Sequence, residues 1–174
     1  MPKHTGFTLI ELLTTLAVLA VLFAVGLPGL ADALARHRVQ TTMHLVSADL
    51  AMARSSAIMR RSAVVVCPGT GANGCHGDAD WGQGWIVFAD PDGNRRPDTL
   101  DQLLRVSSAP GTGSGAMRIG ATRNFVRYQR DGRSAGTNLT IRVCSGDTLA
   151  GQVIVNNLGR VRTARPARPT VCPM

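Results

Sequence analysis

The longest pattern along the chain is apolar. Residues 7–30, "FTLIELLTTLAVLAVLFAVGLPGL", carry only Glu11 as a charged residue. As a helix this run would be about 36 Å long, enough to cross a bilayer. Beyond it Val39, Met43, Val46, Leu50, Ala53 and Ala57 recur at spacings of three and four, the stripe of an amphipathic helix that continues the apolar one. Pro28, with Gly26 and Gly29 close by, predicts a bend or loosening midway. From residue 62 short apolar runs take over: "SAVVVC" (62–67), "GWIVFAD" (84–90), "LLRVSS" (103–108), "FVRYQR" (125–130), "LTIRVC" (139–144) and "GQVIVNN" (151–157). Gly, Pro, Asn and Asp clusters separate them, so they predict strands. The expected fold class is α+β, a long N-terminal helix packed on an antiparallel β-sheet head. "APGTGSGAM" (109–117) is the most open loop, and Trp81 and Trp85 are expected in the core.

The ends of the apolar run set its orientation. Only Lys3 and His4 precede it as basic or titratable residues, so the positive-inside tendency puts the first residues in the cytoplasm and everything after Leu30 on the far side. A cleaved secretory signal is the competing account, with "ADALA" (31–35) as its cleavage site. Glu11 argues against it, because a carboxylate in an apolar segment is costly and usually has a functional partner. The amphipathic stripe running on beyond residue 30 argues the same way.

Charge changes the picture next. The 174 residues, about one domain's worth, have a net charge of +8 at pH 7, and Lys3 is the only lysine beside 18 arginines. Arginine presents a planar fork of donors suited to phosphate, although a codon bias would also enrich it. Position separates the two accounts: residues 118–174 hold ten arginines against Asp131 and Asp147, and the rest of the chain is balanced. The clustering points to a basic surface.

Four cysteines on the far side of a membrane suggest two disulfides, with three possible connectivities. Cys67 and Cys75 bracket the short turn-rich loop "PGTGANG"; Cys144 and Cys172 then remain, and their bond would close the arginine segment into a loop. Zinc fits poorly, since Cys67, Cys75 and His76 lack the spacing of structural sites.

"GFTLIELL" (6–13) resembles the prepilin signature of type IV pilins and type II secretion pseudopilins. The resemblance implies a leader of residues 1–6, prepilin peptidase cutting between Gly6 and Phe7, and methylation of the new amino terminus. It also implies that the Glu11 carboxylate pairs with a neighbouring subunit's amino terminus during assembly. "WGQGWIVFADPDGN" (81–94), "LDQLLRV" (100–106) and "GQVIVNNLGRVRT" (151–163) resemble the GspH/FimT family of minor pilins. On that resemblance residues 7–30 are the transmembrane and assembly helix, 31–61 its amphipathic half and 62–174 a β-rich head with a basic tail. The protein is expected first in the inner membrane as a single-pass protein with a periplasmic head, then in a pilus fibre at the cell surface among other major and minor pilins.

Near the carboxyl end Gly159, Arg160, Val161 and Arg162 match a Gly-Arg-x-Arg element by which FimT-type minor pilins bind DNA in natural transformation. Arg160 and Arg162, two apart on an extended segment, point to one side, and Arg165 and Arg168 follow, stiffened by Pro166 and Pro169. The expected ligand is double-stranded DNA, held through its phosphates without sequence preference. Few aromatics lie near the tail, so base stacking is not expected. Arg118, Arg123, Arg127, Arg130 and Arg133 would widen the footprint. The alternative is a structural minor pilin or pseudopilin that primes fibre assembly, its basic face meeting acidic surfaces of other subunits.

Other chemistry finds little support. Asp90, Asp92, Asn94, Asp98 and Asp101 fall at positions 1, 3, 5, 9 and 12 of a calcium-loop pattern, but Arg95 stands where that loop needs glycine. A hydrogen-bonded acidic turn is the better expectation. His4, His37, His44 and His76 sit in no nucleophile arrangement. No enzyme activity, metal or cofactor is expected.

Overall fold

A computed structural model describes residues 8–71, 73–109, 117–134 and 138–173, together with Gly6 and Gly136. The expectations for the leader residues 1–5, for Phe7 and for most of the 109–117 loop lie outside the described residues.

Helix α1 spans Leu9–Arg60. Thr8 starts it by accepting the Glu11 N–H on its Oγ1 at 3.3 Å. The helix runs on through Gly26 and Gly29, the stretch where a bend or loosening was expected; Pro28 there takes away one hydrogen-bond donor. By packing the chain divides into two units, one ending at His37 and one beginning at Arg38. In the first, the large apolar side chains from Leu9 to Leu34 are exposed. In the second, all six stripe residues from Val39 to Ala57 are buried.

Eight strands follow: β1 (Val64–Pro68), β2 (Trp85–Ala89), β3 (Leu103–Ser107), β4 (Met117–Ala121), β5 (Val126–Tyr128), β6 (Leu139–Ser145), β7 (Thr148–Val155) and β8 (Val161–Ala164). They form two four-stranded antiparallel sheets, ordered β3-β2-β1-β5 and β4-β6-β7-β8. The helix stripe packs with residues of both, Val64, Val66, Trp85 and Val87 from the first and Ile119, Ile141, Val143, Val153 and Val155 from the second. The first sheet is buried on its other face as well. There Val65, Cys67, Ile86 and Phe88 form a smaller apolar cluster with Cys75, Leu103 and Phe125.

One buried polar cluster ties the helix to the first sheet. Asp49 is 2% exposed and lies on the apolar stripe. Its carboxylate accepts from Trp85 Nε1 at 2.8 Å and Ser107 Oγ at 2.6 Å, and pairs with Arg105 Nε at 2.8 Å. Trp81 and Trp85 are both fully buried.

Cys67 is bonded to Cys75 and Cys144 to Cys172, with Cα–Cα distances of 5.4 and 6.0 Å. The second bond anchors the tail, which also donates Cys172 N–H to the Asp147 carbonyl at 2.9 Å and accepts the Leu149 N–H on the Thr170 carbonyl at 2.8 Å.

Candidate functional site

The arginine segment "GRVRT" belongs to a hairpin. β7 and β8 pair Gln152 with Ala164, Val153 with Thr163, Ile154 with Arg162 and Val155 with Val161. The turn between them closes by the Gly159 N–H donating to the Asn156 carbonyl at 2.8 Å, while the Arg160 N–H donates to Asn156 Oδ1 at 2.9 Å. Asn156 thus holds both ends of the turn.

The turn is seated on the protein behind it. Gly159 has φ +75°, a conformation glycine adopts without steric cost. A Cβ built there would overlap the Gly132 carbonyl oxygen and come within 3.2 Å of the Tyr128 ring. The Asn157 carbonyl accepts the Ser134 N–H at 3.1 Å, and Arg54 of α1 donates its Nε–H to the Gly132 carbonyl at 3.1 Å. A chain of contacts therefore runs from the helix through Gly132 to the residue preceding Arg160. Behind the turn Tyr128 is fully buried, and burial pushes its phenol well above the ordinary range, the Arg54 charge opposing.

Strand alternation then aims the side chains. Val161 faces the core while Arg160 and Arg162 stand exposed on the outward face. Neither forms an ion pair or side-chain hydrogen bond among the described residues. With Asn138, Ile154 and Asn156 they line a groove of about 430 Å³ with no carboxylate among the described residues.

The structure does not bring all four tail arginines together. Arg165 lines a different hollow of about 330 Å³ with Gln40, Met43, His44, Thr163 and Ala164. It has the strand parity of Thr163, opposite to that of Arg162. Arg168 is exposed in the stretch leading to Cys172. Of the arginines expected to widen the footprint, Arg127 pairs with buried Asp90 and Arg118 pairs with Asp147 at 2.9 Å. Arg123 lies over the Phe125 ring, 5.5 Å from its centre. Arg130 and Arg133 are exposed around the turn that receives the hairpin.

Three residues of this face were not singled out in the sequence. Asn138 and Asn156 line the groove, and Arg142 lies on the same outward face of β6, opposite Gln152. The alternation of "NLTIRVC", with Leu139, Ile141 and Val143 buried, marks Asn138 and Arg142 as outward.

The calcium-like loop is occupied by its own hydrogen bonds. Asp90 is fully buried and takes Arg127 and the Arg95 N–H at 3.2 Å. Asn94 Nδ2 bridges Asp92 at 2.7 Å and Asp98 at 3.0 Å. Arg95 adopts φ +63° where a calcium loop would place glycine.

A family profile described as "Type II transport protein GspH" matches residues 42–159. The chain belongs to the GspH family. A second profile, "Prokaryotic N-terminal methylation motif", matches residues 1–27. This GspH-family chain is similar to the crystal structure of the type IV minor pilin FimU of Pseudomonas aeruginosa, at 18% identity and TM-score 0.60, covering 78% of this chain and 94% of that one. A second crystal form of FimU gives 17% identity, TM-score 0.57 and coverage of 75% and 96%. The minor pseudopilin EpsH of the Vibrio cholerae type 2 secretion system gives 10% identity, TM-score 0.52 and coverage of 75% and 99%. No curated protein matches the sequence.

The chain is therefore of the minor pilin and pseudopilin kind, a structural family whose members carry an N-methylation signal, anchor by an apolar N-terminal helix and assemble with other pilins. Arg160 and Arg162 lie just beyond the GspH match, which ends at Gly159.

Proposed function

We propose that this minor pilin captures extracellular duplex DNA for uptake in natural transformation, with Arg160 and Arg162 as the primary contacts. The observation that carries this is the outward pair of guanidinium groups, without an ion pair among the described residues, on a hairpin that the head holds in place. Two residues apart on a strand, their backbones are about 6.6 Å apart, so the two side chains can reach separate phosphates of one strand. Each can meet a phosphate through charge-assisted, forked bonds. Because the hairpin and tail are restrained by Gly159 and the Cys144–Cys172 bond, little freedom is lost on binding. Arg168, Arg142, Arg130 and Arg133 extend the basic surroundings, and Arg165 is turned toward the helix side of β8.

Prepilin peptidase would release the chain between Gly6 and Phe7, and Glu11 would then serve assembly against a neighbouring subunit's amino terminus. The head would face the periplasm until the subunit enters a fibre at the cell surface. A role in priming the fibre is the second reading, and the exposed apolar helix from Leu9 to Leu34, suited to lipid or neighbouring subunits, fits assembly under either. Deleting the gene separates the two. DNA capture predicts lost transformation with pili still present; loss of the pili themselves would put priming first.

A further inference from the structure

The groove beside Arg160 and Arg162 has a chemistry that phosphate contacts alone do not use. Ile154 stands in it, directly across the strand pair from Arg162. Asn138 and Asn156 contribute carboxamides from the adjoining ends of β6 and β7. Asn156 uses its Oδ1 on the Arg160 N–H, so its amide nitrogen keeps two donors to offer. Among the described residues the lining thus combines two cations, amide donors and one apolar side chain, with no acid and no aromatic ring. At about 430 Å³ the space falls within the usual range of small-ligand pockets, about 300–1,000 Å³. Phosphate contacts of a duplex use the two arginines and leave Ile154 and the two asparagines without a role.

We infer that this groove seats one nucleotide of an unpaired strand or strand end, its phosphate on Arg160 and Arg162 and its deoxyribose against Ile154. The inference rests on the DNA-capture reading and names the part of the nucleic acid that enters the site. Asn138 and Asn156 donate to sugar or base acceptors. With no aromatic platform the base is not stacked, so the seat is tolerant of sequence. The apolar contact adds a component that salt does not screen.

The chain has six isoleucines, which makes their methyl groups a direct probe. The full-length protein, labelled at isoleucine methyls in detergent micelles, is titrated with deoxyadenosine monophosphate, with inorganic phosphate and with a duplex whose ends are sealed by hairpins. The nucleotide is expected to shift Ile154 and leave buried Ile141 unmoved, with phosphate at equal concentration shifting Ile154 far less. Ile154→Ser is expected to weaken nucleotide binding about fivefold or more, having lost about two buried carbon groups. Its affinity for the sealed duplex, which depends on phosphate contacts, should change by less than about twofold. No Ile154 shift with millimolar nucleotide, or equal shifts with phosphate, would overturn the inference. If the sealed duplex binds and the nucleotide leaves Ile154 unmoved, the seat alone is wrong. If the nucleotide shifts Ile154 and the duplex does not bind, the seat stands and duplex capture falls.

Discussion

Replacing Gly159 by alanine separates two costs that its position combines. At φ +75° an L-residue loses about 1–2 kcal/mol relative to glycine. The new Cβ also overlaps the Gly132 carbonyl oxygen, a backbone atom that cannot swing aside and is held by Arg54. Forcing such an overlap costs about 1–3 kcal/mol more. Gly146, in the turn between β6 and β7, supplies the comparison: its φ is +55° and a Cβ there meets nothing within 4 Å. Gly159→Ala should therefore destabilise the head by about 2–5 kcal/mol, and Gly146→Ala by only about 1–2 kcal/mol. Urea unfolding of the full chain in detergent micelles, followed by the fluorescence of buried Trp81 and Trp85, measures both. Coincident midpoints would refute the close seating of the hairpin on Gly132, and with it the claim that Gly159 acts by positioning Arg160.

Two further variants test the framework behind the site. Asp49→Ala strands the buried Trp85 and Ser107 donors and should cost about 3 kcal/mol in the same unfolding assay, with half-exposed Arg105 adding little. A loss below about 1 kcal/mol would mean that the cluster does not tie the helix to the sheet. Tyr128 is held above its ordinary value of 10.0 chiefly by burial, so the unfolded chain ionises first and stability falls as pH rises above that value. Tyr128→Phe should lose less stability than the wild type in that alkaline range, and equal losses would contradict the account of its burial. Near neutral pH the change should be small or favourable, because the buried Tyr128 hydroxyl has no partner among the described residues.

The parts of the fold that were legible in the sequence are those where one periodicity acts alone. The helix stripe was plain because the spacings of three and four from Val39 to Ala57 have a single solution on a helix. Strands β4 and β8 were missed for opposite reasons. "MRIGA" alternates correctly, with Met117 and Ile119 buried, but Gly120 and the glycine-rich stretch before it disguise the run. "VRTA" is an edge strand in which Val161 alone packs against the core, so Arg162 and the arginines on either side of the strand dominate and it looks like a tail. The division into two sheets depends on pairings such as β1 with β5 and β4 with β6, which join distant segments and leave no local signal. At the site, the shared side of Arg160 and Arg162 followed from their spacing of two. The same arithmetic separates Arg165, whose odd offset from Arg162 carries it to the other side of the strand. Asp49 also left a signal, an acid inside an apolar stripe, which asks for buried donors to meet it.

Duplex DNA binding by the full-length chain in detergent micelles, measured across a salt series, tests the central claim most directly. The wild type is compared with the Arg160→Ala, Arg162→Ala double variant and with Arg165→Ala. Two lost phosphate contacts should weaken binding at low salt and lower the slope of log affinity against log salt by about 1.8, while Arg165→Ala keeps most of the wild-type slope. Equal affinity and slope for the wild type and the double variant, with the variant still folded, would contradict DNA capture by this face.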